Sequence, residues 1–198
     1  MANNNQIYKM SNAGGFKSLN RYYDMLAGNA VWNPWEPQGA FDALATVTVP
    51  SGGAASIEFV GIPTGYKHLQ IRGFAKTTGA LWFATTINGD TSTGYASHAL
   101  YANGATVSAF GTATGSATYG YTGLIEADGQ SAIIMDVLDY ADTTKNKTVR
   151  VLWGNDRNGA GNIGLNSFFR PAQTGAVSSI KITAPFTQYT QFALFGVK

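Results

Sequence analysis

The stretch from His68 to Asp90, HLQIRGFAKTTGALWFATTINGD, decides the fold class. It holds two short runs rich in β-branched and aromatic residues, His68 to Ala75 and Leu81 to Ile87, and it ends in Asn88-Gly89-Asp90, residues that tolerate the positive φ of a tight turn. The same alternation of strand run and turn signal extends outward from Ala43 to the end of the chain. Candidate strands lie at Leu44 to Val49, Ser56 to Val60, Ser97 to Ala102, Ala132 to Leu138, Thr148 to Trp153, Ile163 to Phe168, Ser179 to Thr183 and Gln191 to Val197. Further turn signals fall at Asn103-Gly104, Asp128-Gly129 and Asn158-Gly159. Short strands recurring at roughly 10 to 15 residues predict an all-β sandwich or barrel, and ten of them suit two sheets. The stretch from Ala105 to Gly123, low in charge and rich in Gly, Ala, Thr and Ser, reads either as a long exposed loop or as an irregular strand pair. No repeat of fixed period and no long linker interrupts the run, so residues 43–198 form one β domain behind an arm of residues 1–42.

Composition narrows the partners. The chain has 198 residues, 44% of them hydrophobic and 13% aromatic, enough to fill one or two cores. Only 12% are charged, about half the usual ~25%, while 24 glycines exceed the usual ~7%. A formal charge of +2, scattered along the chain, suits neither a nucleic-acid groove nor a polybasic membrane anchor. The absence of cysteine rules out disulfides, thiolate metal sites and a cysteine nucleophile, so stability must come from packing or assembly. The start, Met1-Ala2-Asn3-Asn4-Asn5-Gln6, lacks the basic and apolar regions of a signal peptide, and no apolar run approaches the roughly 18 residues of a membrane span. The expectation is a protein made in the cytoplasm.

The arm carries the one helical pattern. Leu19, Tyr22, Tyr23 and Leu26 fall at i, i+3, i+4 and i+7, with Ser18 placed to cap the start and Gly28 just past the end. A helix of about three turns is marginal alone in water, so its apolar face needs a partner surface. Trp32 and Trp35 follow among prolines that disfavour helix. Their rings pack either under their own domain or into a neighbouring subunit.

Catalytic chemistry finds little to build on. The only histidines are His68 and His98, no serine sits in a glycine elbow, and each histidine reads as a structural hydrogen-bonding residue. Glu58, Glu126 and eight aspartates show no pattern that pairs two carboxylates across a sugar. Asp136, Asp139 and Asp142 recur every third residue, yet they lack the alternating oxygens and glycine of a calcium loop and read as solvated strand-end carboxylates. Asn155, Asp156, Asn158 and Asn162 read as a solvated loop. No metal ion and no cofactor is expected. Trp82, Tyr101, Tyr119, Tyr121 and Trp153 are rings large enough to stack on sugars, although their strand positions favour packing. Tyr119 and Tyr121 are the candidates for glycan contact.

Three blocks of the chain resemble structural proteins of tailed bacteriophages, above all the tail-fibre-like virion proteins of marine and cyanobacterial phages. The first runs Lys9-Met10-Ser11-Asn12-Ala13-Gly14-Gly15-Phe16-Lys17-Ser18-Leu19 and continues from Arg21 to Asn29. The second comprises Ser56 to Phe59, Gly61-Ile62-Pro63, Tyr66 to Arg72, Asn88-Gly89-Asp90 and Tyr95. The third comprises Asp139-Tyr140, Lys145, Lys147-Thr148 and Phe192 to Val197. These are turn and strand residues, so the resemblance brings a fold and a virion context and no active site. It implies a jelly-roll-like antiparallel β-sandwich, a homotrimer, and a shared leader that attaches to other virion proteins. On that reading Lys9, Lys17 and Arg21 meet acidic groups on the docking partner, while Leu19, Tyr22, Tyr23, Leu26, Trp32 and Trp35 supply the apolar contacts. The expected function is a non-enzymatic virion structural protein in the tail or its fibres, with host-surface glycan contact as a second task. The alternative is a capsid decoration protein. Neither nucleic acid nor membrane is expected as a partner.

Overall fold

A computed structural model describes residues 40–127, 129–157, 160–171 and 174–198. The helix expected over Leu19 to Leu26 and the Trp32/Trp35 segment lie outside the described residues. The chain divides between Ala40 and Phe41. Among the described residues every regular element is a strand. In chain order the strands are β1 (Phe41–Thr48), β2 (Ala54–Val60), β3 (His68–Ala75), β4 (Leu81–Ile87), β5 (Tyr95–Asn103) and β6 (Thr106–Ala117), then β7 (Gly120–Ile125), β8 (Ser131–Leu138), β9 (Lys147–Arg157), β10 (Ala160–Arg170), β11 (Ser179–Phe186) and β12 (Gln191–Val197).

Alternation sets which side faces inward. Ile133, Met135 and Val137 of β8 are buried while Ala132 and Ile134, at alternate positions, are exposed. Ile180 and Ile182 of β11 do the same from the opposite sheet. The core joins Leu69, Ile71, Met135, Val149 and Val151 of one sheet with Ile57, Phe59, Phe83, Ile87, Ile180 and Ile182 of the other.

The order in the larger sheet is β1-β12-β3-β8-β9-β10-β5-β6, and in the smaller β2-β11-β4-β7. All pairings are antiparallel. Setting aside β5–β6 and β9–β10, the pairs β1·β12, β2·β11, β3·β8 and β4·β7 nest from the chain ends inward, and successive strands alternate between sheets. That is the wrapped hairpin of a jelly roll, the fold that the resemblance implies. The two remaining hairpins both join the larger sheet, which therefore has eight strands against four. β7 of the smaller sheet packs across β9 and β10.

Two strands exceed the ten expected. The Ala105–Gly123 stretch is a pair of strands, β6 and β7, that do not bond to each other. β6 folds back on β5 through Gly104, at φ 56°, and β7 crosses to the smaller sheet beside β4. Low charge and small residues hide the strand pattern there, since Gly, Ala and Ser have weak β preference. The Asn155–Asn162 region differs too. Asn155 and Asn162 face each other in the ladder of β9 and β10, and Asn162 is only 3% exposed. At the corner between β4 and β5, Asn88 (φ 53°) and Gly89 (φ 66°) make the expected turn. The Asn88 side-chain oxygen accepts the N–H groups of Ser178 (2.8 Å) and Ser179 (3.1 Å), tying the entry of β11 to that corner.

Candidate functional site

In the enlarged sheet β10 turns amides inward and aliphatic side chains outward. Along β10 the inward positions are Asn162, Gly164, Asn166 and Phe168, and the outward ones include Ile163 and Leu165. A polar network fixes this choice. The buried Trp153 indole N–H donates to Asn166 Oδ1 at 2.9 Å, Asn166 Nδ2 donates to the Tyr121 carbonyl at 3.3 Å, and Asn162 Nδ2 donates to Glu126 Oε1 at 2.8 Å. Gly123 and Gly164 leave room for the indole, because a Cβ would come within 2.8 Å of its Cγ at the first and 2.3 Å of its Cζ2 at the second. A one-residue slip would bury the aliphatic set and expose the asparagines, but it would also strand the indole N–H and fill its slot.

The outward face is consequently apolar. One row runs Ile134, Leu152, Leu165, Leu100 and Ala109 across β8, β9, β10, β5 and β6. The next runs Ala132, Gly154, Ile163, Ala102 and Val107 across the same strands. Leu152, Leu165, Leu100, Ile163 and Val107 are 50% to 69% exposed. Contiguous exposure on this scale marks an interaction surface, unlike scattered surface leucines. A third row, Asp136, Arg150, Ser167, His98 and Gly111, borders the first with polar groups. Between these rows lies a hollow of about 540 Å³, lined by His98, Leu100, Ala109, Arg150, Leu165 and Ser167 among others. The face can bind apolar surface with a polar edge. Covering the exposed half of each large aliphatic side chain is worth about 1 kcal/mol.

Tyr119 and Tyr121 sit elsewhere, on the inner side near β7. Their rings meet edge to face at 5.1 Å with hydroxyls 3.3 Å apart. The hydrogen bond to Tyr121, and burial after it, push the Tyr119 phenol above its ordinary pKa. Tyr121 meets Phe110 at 5.6 Å, and Phe110 meets Trp82 at 4.9 Å, all edge-on. Both tyrosines are half-buried in this chain of rings, and two perpendicular rings form no flat stacking platform.

Asp139 and Asp142 share Lys145, whereas Asp136 pairs elsewhere. Asp136 accepts from Gln70 Nε2 at 2.7 Å. Asp139 lies between Lys67 (3.1 Å) and Lys145 (2.7 Å), which hold its carboxyl below the ordinary range, Lys145 foremost. Asp142 accepts from the hydroxyl and N–H of Thr144, which bring its pKa to about 2. Among the described residues no group of three or more His, Asp or Glu is placed to hold a metal ion. His68 accepts the Asp139 N–H at 2.9 Å, the structural role expected of it. His98 does not follow: it lies exposed on the outer face of β5 over Gly111, and a Cβ there would come within 2.9 Å of its Nδ1.

Lys9, Lys17, Leu19, Arg21, Tyr22, Tyr23, Leu26, Trp32 and Trp35 lie outside the described residues. Sequence reasoning missed the outward aliphatic rows. Asn162 and Asn166 share a parity with Phe168, but Ile163 and Leu165 share one with Phe169, so parity alone does not mark the inner face. No protein-family model matches the chain, and comparisons with curated proteins and with solved structures give no match either.

Proposed function

We propose that the chain is a non-enzymatic structural protein of a phage particle, built into the tail or its fibres, with host-surface contact as a secondary task. The observation that carries the assembly role is the aliphatic face on the enlarged sheet, held outward by the buried Trp153–Asn166 and Asn162–Glu126 bonds. A protein that ends its life alone in water gains nothing from this arrangement. The particle context comes from the three sequence blocks, and the arm of residues 1–42 is the attachment segment to other virion proteins. A homotrimer is the assembly that the same resemblance implies. Deleting residues 1–40 tests the anchor: the truncated protein is expected to be absent from purified particles, and incorporation at normal copy number would end this reading of the arm. Antibody fragments against the β body, located on intact particles by cryo-electron microscopy, are expected on the tail. Density over the head instead would make this a decoration protein.

A further inference from the structure

We infer that the aliphatic face of β8, β9, β10, β5 and β6 is the contact between copies of this chain. The inference rests on the structural reading above and names the partner of the same surface. Three observations favour a second copy over an unlike protein.

The first is charge. Asp136 and Arg150 are ladder partners in the row that borders the aliphatic residues, so this edge carries both signs side by side. A second copy, suitably turned, sets Arg150 of one chain against Asp136 of the other, whereas a strongly acidic or basic partner meets a like charge at one of the two. Among the described residues Arg150 makes no hydrogen bond or ion pair within its own chain, so its guanidinium is available for that contact. The second is shape. Ile163 and Val107, 61% and 69% exposed, stand on the same face as the hollow beside Leu100 and Leu165, so one surface supplies both a projection and a recess. The third is area. The exposed parts of Ile134, Leu152, Leu165, Leu100, Ile163 and Val107 amount to roughly 600 Å², close to the ~800 Å² that each partner contributes to a standard interface. The bordering polar row brings the total to that size.

The test uses the full chain. Sedimentation velocity or light scattering at micromolar concentration is expected to give a mass that is a multiple of the monomer. The Leu100→Lys/Leu165→Lys variant is expected to sediment as monomer, with self-association weakened at least 100-fold. Because both side chains are more than half exposed, its far-ultraviolet circular dichroism should match the parent. Arg150→Asp is expected to weaken association, and adding Asp136→Arg to it should restore much of the loss. A contact with an unlike partner gives no such rescue. Should the double lysine variant lose its β signal, the charge-swap pair decides alone. A wild-type monomer at 100 times that concentration, or an oligomer untouched by these variants, overturns the inference. Particle incorporation separates the two readings: a chain that does not self-associate but enters particles keeps the structural role and loses the self-contact. A chain that self-associates through this face but is absent from particles does the reverse.

Discussion

Trp153 shows how a single side chain can set the orientation of its surroundings. Its ring needs the space above Gly123 and Gly164, and its N–H needs the Asn166 oxygen. Removing that acceptor by Asn166→Ala strands a buried donor and frees the Tyr121 carbonyl, at a cost of about 2 kcal/mol. Gly164→Ala forces the indole aside and should cost about 1 to 3 kcal/mol. Urea unfolding of both variants checks these figures, and a change below about 0.5 kcal/mol for Asn166→Ala would mean that the network does not hold the strand. The acidic cluster makes a prediction about pH. Asp142 has its pKa brought to about 2 by the Thr144 hydroxyl and N–H, and Asp139 is held below its ordinary 3.8 by Lys145 and Lys67. A folded-state pKa below the unfolded one contributes stability that is present above about pH 4 and is lost as pH falls toward 2. Melting temperature should therefore stay level from neutral pH to about 4.5 and fall below that, and Asp142→Asn should flatten part of the fall. An unchanged acid limb in Asp142→Asn would remove Asp142 from the account.

At the scale of elements, β10 is where composition and burial part company. Leu165 and Asn166 are neighbours, yet the aliphatic one is 54% exposed and the amide is fully buried. At concentrations where the chain is monomeric, Leu165→Thr is accordingly expected to change the unfolding free energy by less than about 0.5 kcal/mol while Asn166→Ala changes it several-fold more, the reverse of what a hydropathy reading would give. Equal losses would place Leu165 in the core. β3, β4 and β12 were legible to the residue because each combines β-branched or aromatic runs with turn chemistry at its ends. β6 and β7 were not, because their pairing is decided by strands far away in sequence rather than by their own small residues. The outward face was illegible for a related reason: strand alternation says that two faces differ and leaves open which one is covered. Only the contacts of Trp153 and Glu126, made across sheets, settle that choice. For the glycan candidates, the packing of Tyr121 on Phe110, with Tyr119 edge-on to Tyr121, depends on β5–β6 folding back over β7.

The β domain from Phe41 to Lys198 is a hairpin rolled from its middle, and its nested pairs have very different loops to close. β4 and β7 meet between Phe83 and Gly123, β3 and β8 between Ile71 and Met135, and β1 and β12 only between Phe41 and Val197. From the innermost pair to the outermost the span grows about fourfold, two doublings, which adds roughly 1 kcal/mol of loop entropy. Once β4·β7 has formed, however, β3 and β8 are already held near each other by short links, and each later pair inherits the closure before it. The wrap should therefore form from the inside outward, with the β1·β12 ladder completed last. Dominance by distant pairings places refolding in the range of milliseconds to seconds or slower. Phe83→Leu, in the inner pair, should slow refolding, whereas Leu194→Ala, in β12, should leave the refolding rate within about twofold and speed unfolding instead. Both side chains are buried, 0% and 2% exposed, so each variant should lose enough stability for the partition between the two rates to be read. Stopped-flow refolding and unfolding across a urea series measures that partition. A variant at Leu194 that slows refolding as much as the one at Phe83 would mean that the chain ends meet early, and that the roll closes from its rim rather than from its centre.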